Sequence, residues 1–230
     1  MIRPHHIVLF SGFMPILAVH LAWWMNLPYL ATNDCNPYVT GCMSVSGASR
    51  GGPGLHLFRA LVLPSASLLA LSWIATAQWL SRVEPALVRS ARVAGLLGFI
   101  GAVFLVLYAT WLGTDGHWYR WLRRQGVVFF FGLTGLAQLV LAAKLWGRRQ
   151  WTAGGQLRTA ITVLVAIVSC QWLIGLISAF KDVLVSEAIA DPLGNVLEWS
   201  FLWTLGAAQA VIAVMLTRSR FSWRVELGRP

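Results

Sequence analysis

Charged residues are scarce in this 230-residue sequence, in which 11% of the side chains are charged and 57% are hydrophobic. A soluble domain carries roughly a quarter charged residues. The few charges stand in short clusters between long uncharged runs, which excludes a soluble globular domain, a disordered chain and a coiled coil. The net charge of +10 does not indicate a nucleic-acid binder, because a nucleic-acid footprint forms one continuous basic face. The composition instead predicts a protein embedded in a membrane.

Six apolar windows lack interior charge and are about 20 residues long, which is the length a helix needs to cross the hydrocarbon core. The windows cover residues 7–25, 57–80, 93–113, 126–147, 159–180 and 196–217. We therefore predict an all-α fold, a polytopic bundle of six transmembrane helices that forms a single domain over residues 1–230. Residues 26–56 form its one long loop.

Basic residues concentrate on one side of the membrane when the six spans alternate in direction. Twelve of the 18 Lys and Arg residues fall on that side, and an excess of basic residues in short loops marks the cytoplasmic face. Both termini are therefore predicted to be cytoplasmic, and the loop over residues 26–56 to be extracytoplasmic. The predicted cytoplasmic set is Arg3, Arg82, Arg89, Arg92, Lys144, Arg148, Arg149, Arg158, Arg218, Arg220, Arg224 and Arg229.

Lysine is nearly absent, since Lys144 and Lys181 are the only two in the chain. Basic content drawn almost wholly from Arg, together with many Ala, Leu and Trp residues, is typical of proteins from GC-rich bacteria. We therefore expect an integral protein of a bacterial inner membrane. A secretory-pathway membrane is the alternative if the source is eukaryotic.

Cysteine is also rare, with Cys35 and Cys42 in the long loop and Cys170 in the fifth window. In an oxidising compartment Cys35 and Cys42 are candidates for a disulfide, and two free thiols are the alternative. No group of His, Cys and carboxylate residues has the spacing of a metal site. Neither a metal nor a cofactor is predicted.

Polar side chains from distant parts of the chain fall on the predicted extracytoplasmic side, where they are expected to meet at headgroup depth. Arg suits this position because its planar fork binds phosphate while its stem lies along apolar surface. Glu198, at the start of the sixth window, is expected to interact with the positive end of its helix and to pair with an arginine. The candidates for binding a lipid headgroup are Ser44, Arg50, Arg59, Arg123 and Arg124.

Three segments carry a resemblance to a known family. Residues 43–59 (MSVSGASRGGPGLHLFR) run into the second window, residues 123–132 (RRQGVVFFFG) lead into the fourth, and residues 196–203 (VLEWSFLW) open the sixth. In this order they resemble the motifs of the DRAM/Frag/Sfk family of six-helix membrane proteins, in particular its GPI-anchor lipid-remodelling branch. The resemblance implies work on membrane lipid. Arg123 stands where the family has His, so Arg123 and the nearby His117 are both candidates for that position.

These observations support a protein that recognises or helps remodel a lipid at the extracytoplasmic leaflet. In the chemical version, Ser46 or Ser44 attacks an acyl ester, His117 acts as the base and Glu198 orients it. In the non-enzymatic version, the arginines hold a headgroup and the helices contact acyl chains or a membrane-protein partner. A channel or carrier for a small solute is the least favoured interpretation, because the span interiors lack the charged residues that such proteins usually need.

Overall fold

A computed structural model describes residues 3–29, 35–148 and 155–223, apart from the side chains of Gln156 and Glu187. The described residues form seven α-helices and two short 3-10 turns, Leu27–Tyr29 and Pro85–Leu87. Six of these helices are long and apolar enough to cross a membrane, which confirms the prediction of an all-α fold with six spans. The helices are α1 (His5–Asn26), α2 (Val45–Ser49), α3 (Gly52–Val83), α4 (Val88–Trp111), α5 (His117–Trp146), α6 (Gly155–Leu184) and α7 (Glu187–Arg218).

Several spanning helices extend beyond the apolar windows, most of all at the end of the bundle that carries the long loop, here called the loop end. There α5 begins at His117 rather than at residue 126, and α7 begins at Glu187 rather than at residue 196. Hydropathy detects only the part of a helix that lies in hydrocarbon, whereas a helix continues as long as its residues favour it and its polar side chains reach the interface. The loop end therefore carries charged helical turns above the apolar core.

The long loop is shorter than predicted and partly helical. α1 continues to Asn26 and α3 already begins at Gly52. Pro53 lies in the first turn of α3, where the N–H that proline lacks has no partner within the helix. Between these helices lies the single turn of α2, and Cys35 and Cys42 form a disulfide whose Cα atoms are 5.8 Å apart.

The six spanning helices pack in a closed ring, in the order α1, α3, α4, α5, α6, α7 and back to α1. Small residues let neighbouring helices approach closely: Gly98 on α4 lies against the ring of Trp73 on α3, which is fully buried. Two clusters of buried apolar side chains fill the bundle. One includes Trp73 and Trp199, and the other includes Trp79 and Ile161.

The basic residues assigned to the cytoplasm lie together at the end of the bundle opposite the loop end. Arg3 precedes α1, Arg82 lies in the last turn of α3, and Lys144 lies in the last turn of α5. Arg149, Arg224 and Arg229 fall outside the described residues. The position of these basic residues at one end of the bundle agrees with spans that alternate in direction. Which end faces the cytoplasm stays a prediction.

Replacing Gly98 by Ala is expected to lower the free energy of unfolding by about 1–3 kcal/mol, the usual effect of overpacking. A Cβ atom at this position would lie 2.2 Å from ring atoms of Trp73, which is fully buried and has no room to shift. The measurement is the midpoint of thermal unfolding of the detergent-solubilised protein, followed by tryptophan fluorescence.

Gly132→Ala on α5 is the matched control, because among the described residues no atom outside the surrounding turns of its own helix lies within 4 Å of its Cβ position. This variant gains only the helix propensity of Ala, worth up to about 1 kcal/mol. Equal unfolding midpoints for the two variants would contradict the close contact between α3 and α4.

Candidate functional site

Residues 35–51, here called the capping segment, cover the loop end of α1 and α7. Asn26, the last residue of α1, is buried and holds two backbone groups of this region. Its Nδ2 donates to the carbonyl oxygen of Ala48 at 2.9 Å, and its Oδ1 accepts from the N–H of Gly54 at 3.0 Å. One side chain therefore ties α2 and the first turn of α3 to the end of α1.

Side chains of α7 hold the capping segment from the other side. Asn195 Nδ2 donates to the carbonyl oxygen of Gly41 at 2.7 Å, and Trp199 Nε1 donates to that of Met43 at 3.1 Å. Backbone carbonyls of irregular chain at the membrane edge are costly when they lack a hydrogen-bond partner. These two side chains supply the partners, so the segment has a defined position on the bundle.

Glu198 binds the start of α2 rather than an arginine. Its Oε2 accepts from the N–H of Val45 at 3.3 Å, while Ser44 caps the same helix by accepting from the N–H of Gly47 at 3.0 Å. The expected ion pair of Glu198 with an arginine is not found in the part of the chain that the structure describes. Glu198 also lies about three turns inside α7, so the expectation that it faces the positive end of its own helix was wrong.

A chain of hydrogen bonds fixes the disulfide-closed turn on α1 and α7. His20 Nδ1 lies 2.7 Å from the carbonyl oxygen of Ile16, which only accepts, so this nitrogen carries the proton. In the neutral ring, Nε2 accepts from the hydroxyl of Tyr38 at 2.6 Å, and the Tyr38 oxygen accepts from Trp203 Nε1 at 2.8 Å. Burial raises the pKa of Tyr38 and the hydrogen bond from Trp203 lowers it, with burial the larger effect. The phenol therefore stays protonated and donating at neutral pH.

A cavity of about 480 Å³, here called the basic cavity, lies between α2, α4 and α5 beside the capping segment. This volume is in the range of sites that bind small molecules. Its lining comes from three separate parts of the chain: Ser46 and Arg50 around α2, Tyr108 on α4, and His117, Arg120, Trp121, Arg123, Arg124 and Val127 on α5.

The first turns of α5 supply most of this lining. His117, Arg120, Trp121 and Arg124 follow helical spacing, so they share one face, and Arg123 lies beside them. The N-terminal end of the same helix adds the positive potential of its free N–H groups. The sequence placed these residues ahead of the fourth span, and the helical turns of α5 bring them together.

The four arginines of the basic cavity, Arg50, Arg120, Arg123 and Arg124, are unpaired. Within residues 3–29, 35–148 and 155–223, none of their guanidinium groups forms a hydrogen bond or an ion pair. Arg123 is half-buried, and its charged neighbours are Arg50, Arg120 and the single carboxylate of Asp115. Arg50, Arg120 and Arg124 are exposed, so solvent screens part of their charge. The repulsion between like charges is strongest at half-buried Arg123, and an anion beside it relieves this repulsion.

Tyr108 adds a neutral donor to this arrangement. It is 3% exposed, and its hydroxyl has no hydrogen-bond partner among the described residues. The phenol lies within electrostatic range of Glu198, Arg50 and Arg123. Sequence reasoning missed Tyr108 because it lies inside an apolar window. The one feature of the sequence that indicated a role for Tyr108 was a hydroxyl group close to the end of that window.

Arg59 lies outside the basic cavity, where its guanidinium binds backbone groups. Its Nε donates to the carbonyl oxygen of Ala109 at 3.2 Å, and its Nη2 donates to those of Thr110 at 3.0 Å and Leu112. These carbonyls belong to the C-terminal end of α4, where helical partners run out. Arg59 therefore caps α4 from the neighbouring helix α3.

Two of the three residues predicted as catalytic share one cavity, and no hydrogen bond links the three within the described part of the chain. Ser46 and His117 both line the basic cavity. Ser46 Oγ lies 3.2 Å from Ser44 Oγ, and His117 forms no hydrogen bond within the described residues. The Glu198 carboxylate binds Val45 instead of His117. The structure thus places a hydroxyl and an imidazole around one cavity, without the bonded order of nucleophile, base and orienting acid.

Among the described residues, no group of three or more His, Cys, Asp or Glu side chains is arranged to hold a metal ion. A scan against protein-family models finds no match to this chain, and searches of the curated proteins and of the solved structures find none either. The resemblance to the DRAM/Frag/Sfk family therefore stays a prediction.

Proposed function

We propose that this integral membrane protein recognises the anionic headgroup of a lipid at the extracytoplasmic leaflet, through the basic cavity. The observation that carries the proposal is the group of four unpaired arginines around one cavity of about 480 Å³. Guanidinium groups form paired, charge-assisted hydrogen bonds with phosphate oxygens. The arginines come from α2 and from the start of α5, so a phosphate between them would be held from two sides.

Tryptophans beside the cavity support a lipid rather than a free anion. Trp118 and Trp121 stack on one another, with ring centroids 5.3 Å apart, and both are exposed. Tryptophan prefers the headgroup level of a bilayer, so the cavity mouth lies where lipid phosphates lie. Exposed Val128 and Phe129 follow on α5 and offer an apolar surface to the acyl chains of the bound lipid.

The disulfide supports the extracytoplasmic placement of this site. Cys35 and Cys42 belong to the same capping segment that borders the basic cavity. Disulfides persist in oxidising compartments such as a periplasm or a secretory lumen, and are rare in the cytosol. This argument is independent of the basic-residue bias and agrees with it. A bacterial inner membrane, suggested by the Arg-rich composition, is the proposed location.

The resemblance to the DRAM/Frag/Sfk family agrees with this proposal, because two of its three segments contact each other in the structure. Val45 binds Glu198 and Met43 binds Trp199, which joins residues 43–59 to residues 196–203. The third segment begins at Arg123, in the lining of the basic cavity. We therefore propose membership of this family and a role in recognising membrane lipid.

Recognition is favoured over acyl chemistry by the hydrogen bonds around the predicted catalytic residues. Nucleophilic catalysis needs a base within hydrogen-bond reach of the nucleophile and an acid that orients the base. Here the contact of Ser46 is Ser44, and the contact of Glu198 is the backbone of α2. Both contacts stabilise the capping segment, so the arginines are the side chains that we expect to bind a ligand in the cavity.

Replacing Arg123 or Arg50 by Gln is expected to weaken binding of a short-chain phosphatidylglycerol about tenfold or more, because each loses a hydrogen bond to a charged group worth about 1.5–3 kcal/mol. The full chain is titrated in detergent, and binding is followed by tryptophan fluorescence, since Trp121 lines the cavity.

Arg92→Gln is the matched control, because exposed Arg92 lies near the opposite end of the bundle on α4. Its binding should equal that of the wild type. Wild-type binding by the Arg123 and Arg50 variants, or an equal loss in the control, would place the headgroup site elsewhere.

The wild-type protein, reconstituted in vesicles of phospholipid with a labelled acyl chain, is expected to release or exchange no acyl chain beyond the level of protein-free vesicles. Acyl exchange that disappears in both Ser46→Ala and His117→Ala would overturn this expectation and identify an enzyme. Ser67→Ala, an exposed serine on α3, is the control that should keep any such activity.

A further inference from the structure

The charges around the basic cavity do not balance. Its lining holds four guanidinium groups, and arginine keeps its charge at any ordinary pH. Among the described residues, the carboxylates that act on these guanidinium groups are Asp115, within electrostatic range of Arg123, and Glu198, within electrostatic range of Arg50. Four positive charges against at most two negative ones leave an excess of at least two. A ligand that carries two negative charges offsets more of this excess than a ligand that carries one.

The donors also surround the cavity from three sides. Arg50 lines it from the end of α2, Arg123 and its neighbours line it from α5, and Tyr108 lines it from α4. Tyr108 lines the cavity, and its buried hydroxyl has no hydrogen-bond partner among the described residues, so a ligand oxygen that displaces the atoms covering it can accept from it. Burying a hydroxyl without a partner costs roughly 1–3 kcal/mol, which a ligand oxygen in contact with it would recover.

The backbone around Tyr108 shows how it comes to this position. Gly126 lies against Tyr108, and a Cβ atom at this glycine would be 2.8 Å from the backbone nitrogen of Tyr108. The glycine thus lets α5 approach α4 directly below the arginines. At the turn between the two helices, Gly113 has a φ of +79° and packs against the carbonyl oxygen of Arg50. The three donor groups are therefore held by close backbone contacts.

We propose that the basic cavity selects a lipid whose headgroup ends in a phosphomonoester, in preference to the phosphodiester of common phospholipids. This inference rests on the lipid recognition proposed above and names its ligand class. A phosphomonoester carries a charge of about −1.5 to −2 at neutral pH and has three terminal oxygens. A phosphodiester carries one charge and has two such oxygens. The monoester offsets more of the excess charge than the diester does, and it offers an oxygen to each of the three groups of donors.

The two phosphate classes make different use of the site. Two terminal oxygens of either class bind the arginines of α2 and α5. The third oxygen, present only in the monoester, accepts from the hydroxyl of Tyr108. Tyr108 is therefore a residue that determines specificity, and the arginines supply affinity to both classes.

The test compares four probes on the full chain in detergent: short-chain phosphatidic acid, phosphatidylglycerol and phosphatidylcholine with the same acyl chains, and glycerol 3-phosphate. We expect phosphatidic acid to bind at least about tenfold more tightly than phosphatidylglycerol, the difference expected from one hydrogen bond to a charged group. Glycerol 3-phosphate should bind more weakly than phosphatidic acid, because it has no acyl chains.

Each of the other possible outcomes contradicts one named part of the proposal. Equal affinity for phosphatidic acid and phosphatidylglycerol overturns the preference for a monoester and leaves lipid recognition intact. Affinity for both that does not exceed the affinity for short-chain phosphatidylcholine overturns the recognition of an anionic headgroup, which is the proposed function itself. Glycerol 3-phosphate that binds as tightly as phosphatidic acid overturns the assignment of the ligand as a lipid and identifies a free phosphomonoester.

Tyr108→Phe is expected to abolish the preference, by lowering the affinity for phosphatidic acid about tenfold while the affinity for phosphatidylglycerol stays within about twofold. The ring is retained, and with it the edge contact to Phe58 at 6.0 Å. Tyr119→Phe on α5 is the control, because Tyr119 stacks on Trp111 and does not line the cavity. A preference that persists in Tyr108→Phe overturns the role of its hydroxyl.

Discussion

The structure depends on one constraint, which is that irregular backbone beside hydrocarbon must find partners for its polar groups. The capping segment meets this constraint with side chains from α1 and α7. Asn26 holds Ala48, and Glu198 and Trp199 hold Val45 and Met43. Because these bonds fix the segment, they also fix Arg50 at its end. The part of the proposed site that comes from the capping segment is therefore positioned by the hydrogen bonds that bind the backbone of that segment.

The other half follows from helices that do not end where the apolar sequence ends. α5 continues for about two and a half turns beyond the apolar window, from residue 126 back to His117. These extra turns give Arg120 and Arg124 a rigid support and a common face. Four arginines brought together in this way repel one another, and the closed ring of packed helices below them supplies the stability that keeps them in place. A cationic surface held under such repulsion is suited to binding anions.

The sequence alone indicated the number of spans and most of the site, because both follow from the distribution of apolar and charged residues. It identified Ser46, Arg50 and Arg123 by assigning them to one side of the membrane. It did not distinguish Arg59, because the rotation of α3 about its axis is set by packing, and this rotation turns Arg59 towards the end of α4. It also missed Tyr108, whose role depends on a close approach of α4 and α5 that no spacing reveals.

Arg59 has an electrostatic consequence for the neighbouring cavity. The last carbonyls of a helix carry about half a negative charge, and those of α4 belong to residues that directly follow Tyr108, which lines the cavity. Left uncovered, they would repel an approaching phosphate and attract the guanidinium groups that should receive it. Arg59 occupies these carbonyls and screens them. Arg59 thus neutralises the negative end of α4. As a result, the positive potential of the binding arginines acts on the ligand and not on the backbone carbonyls of the protein.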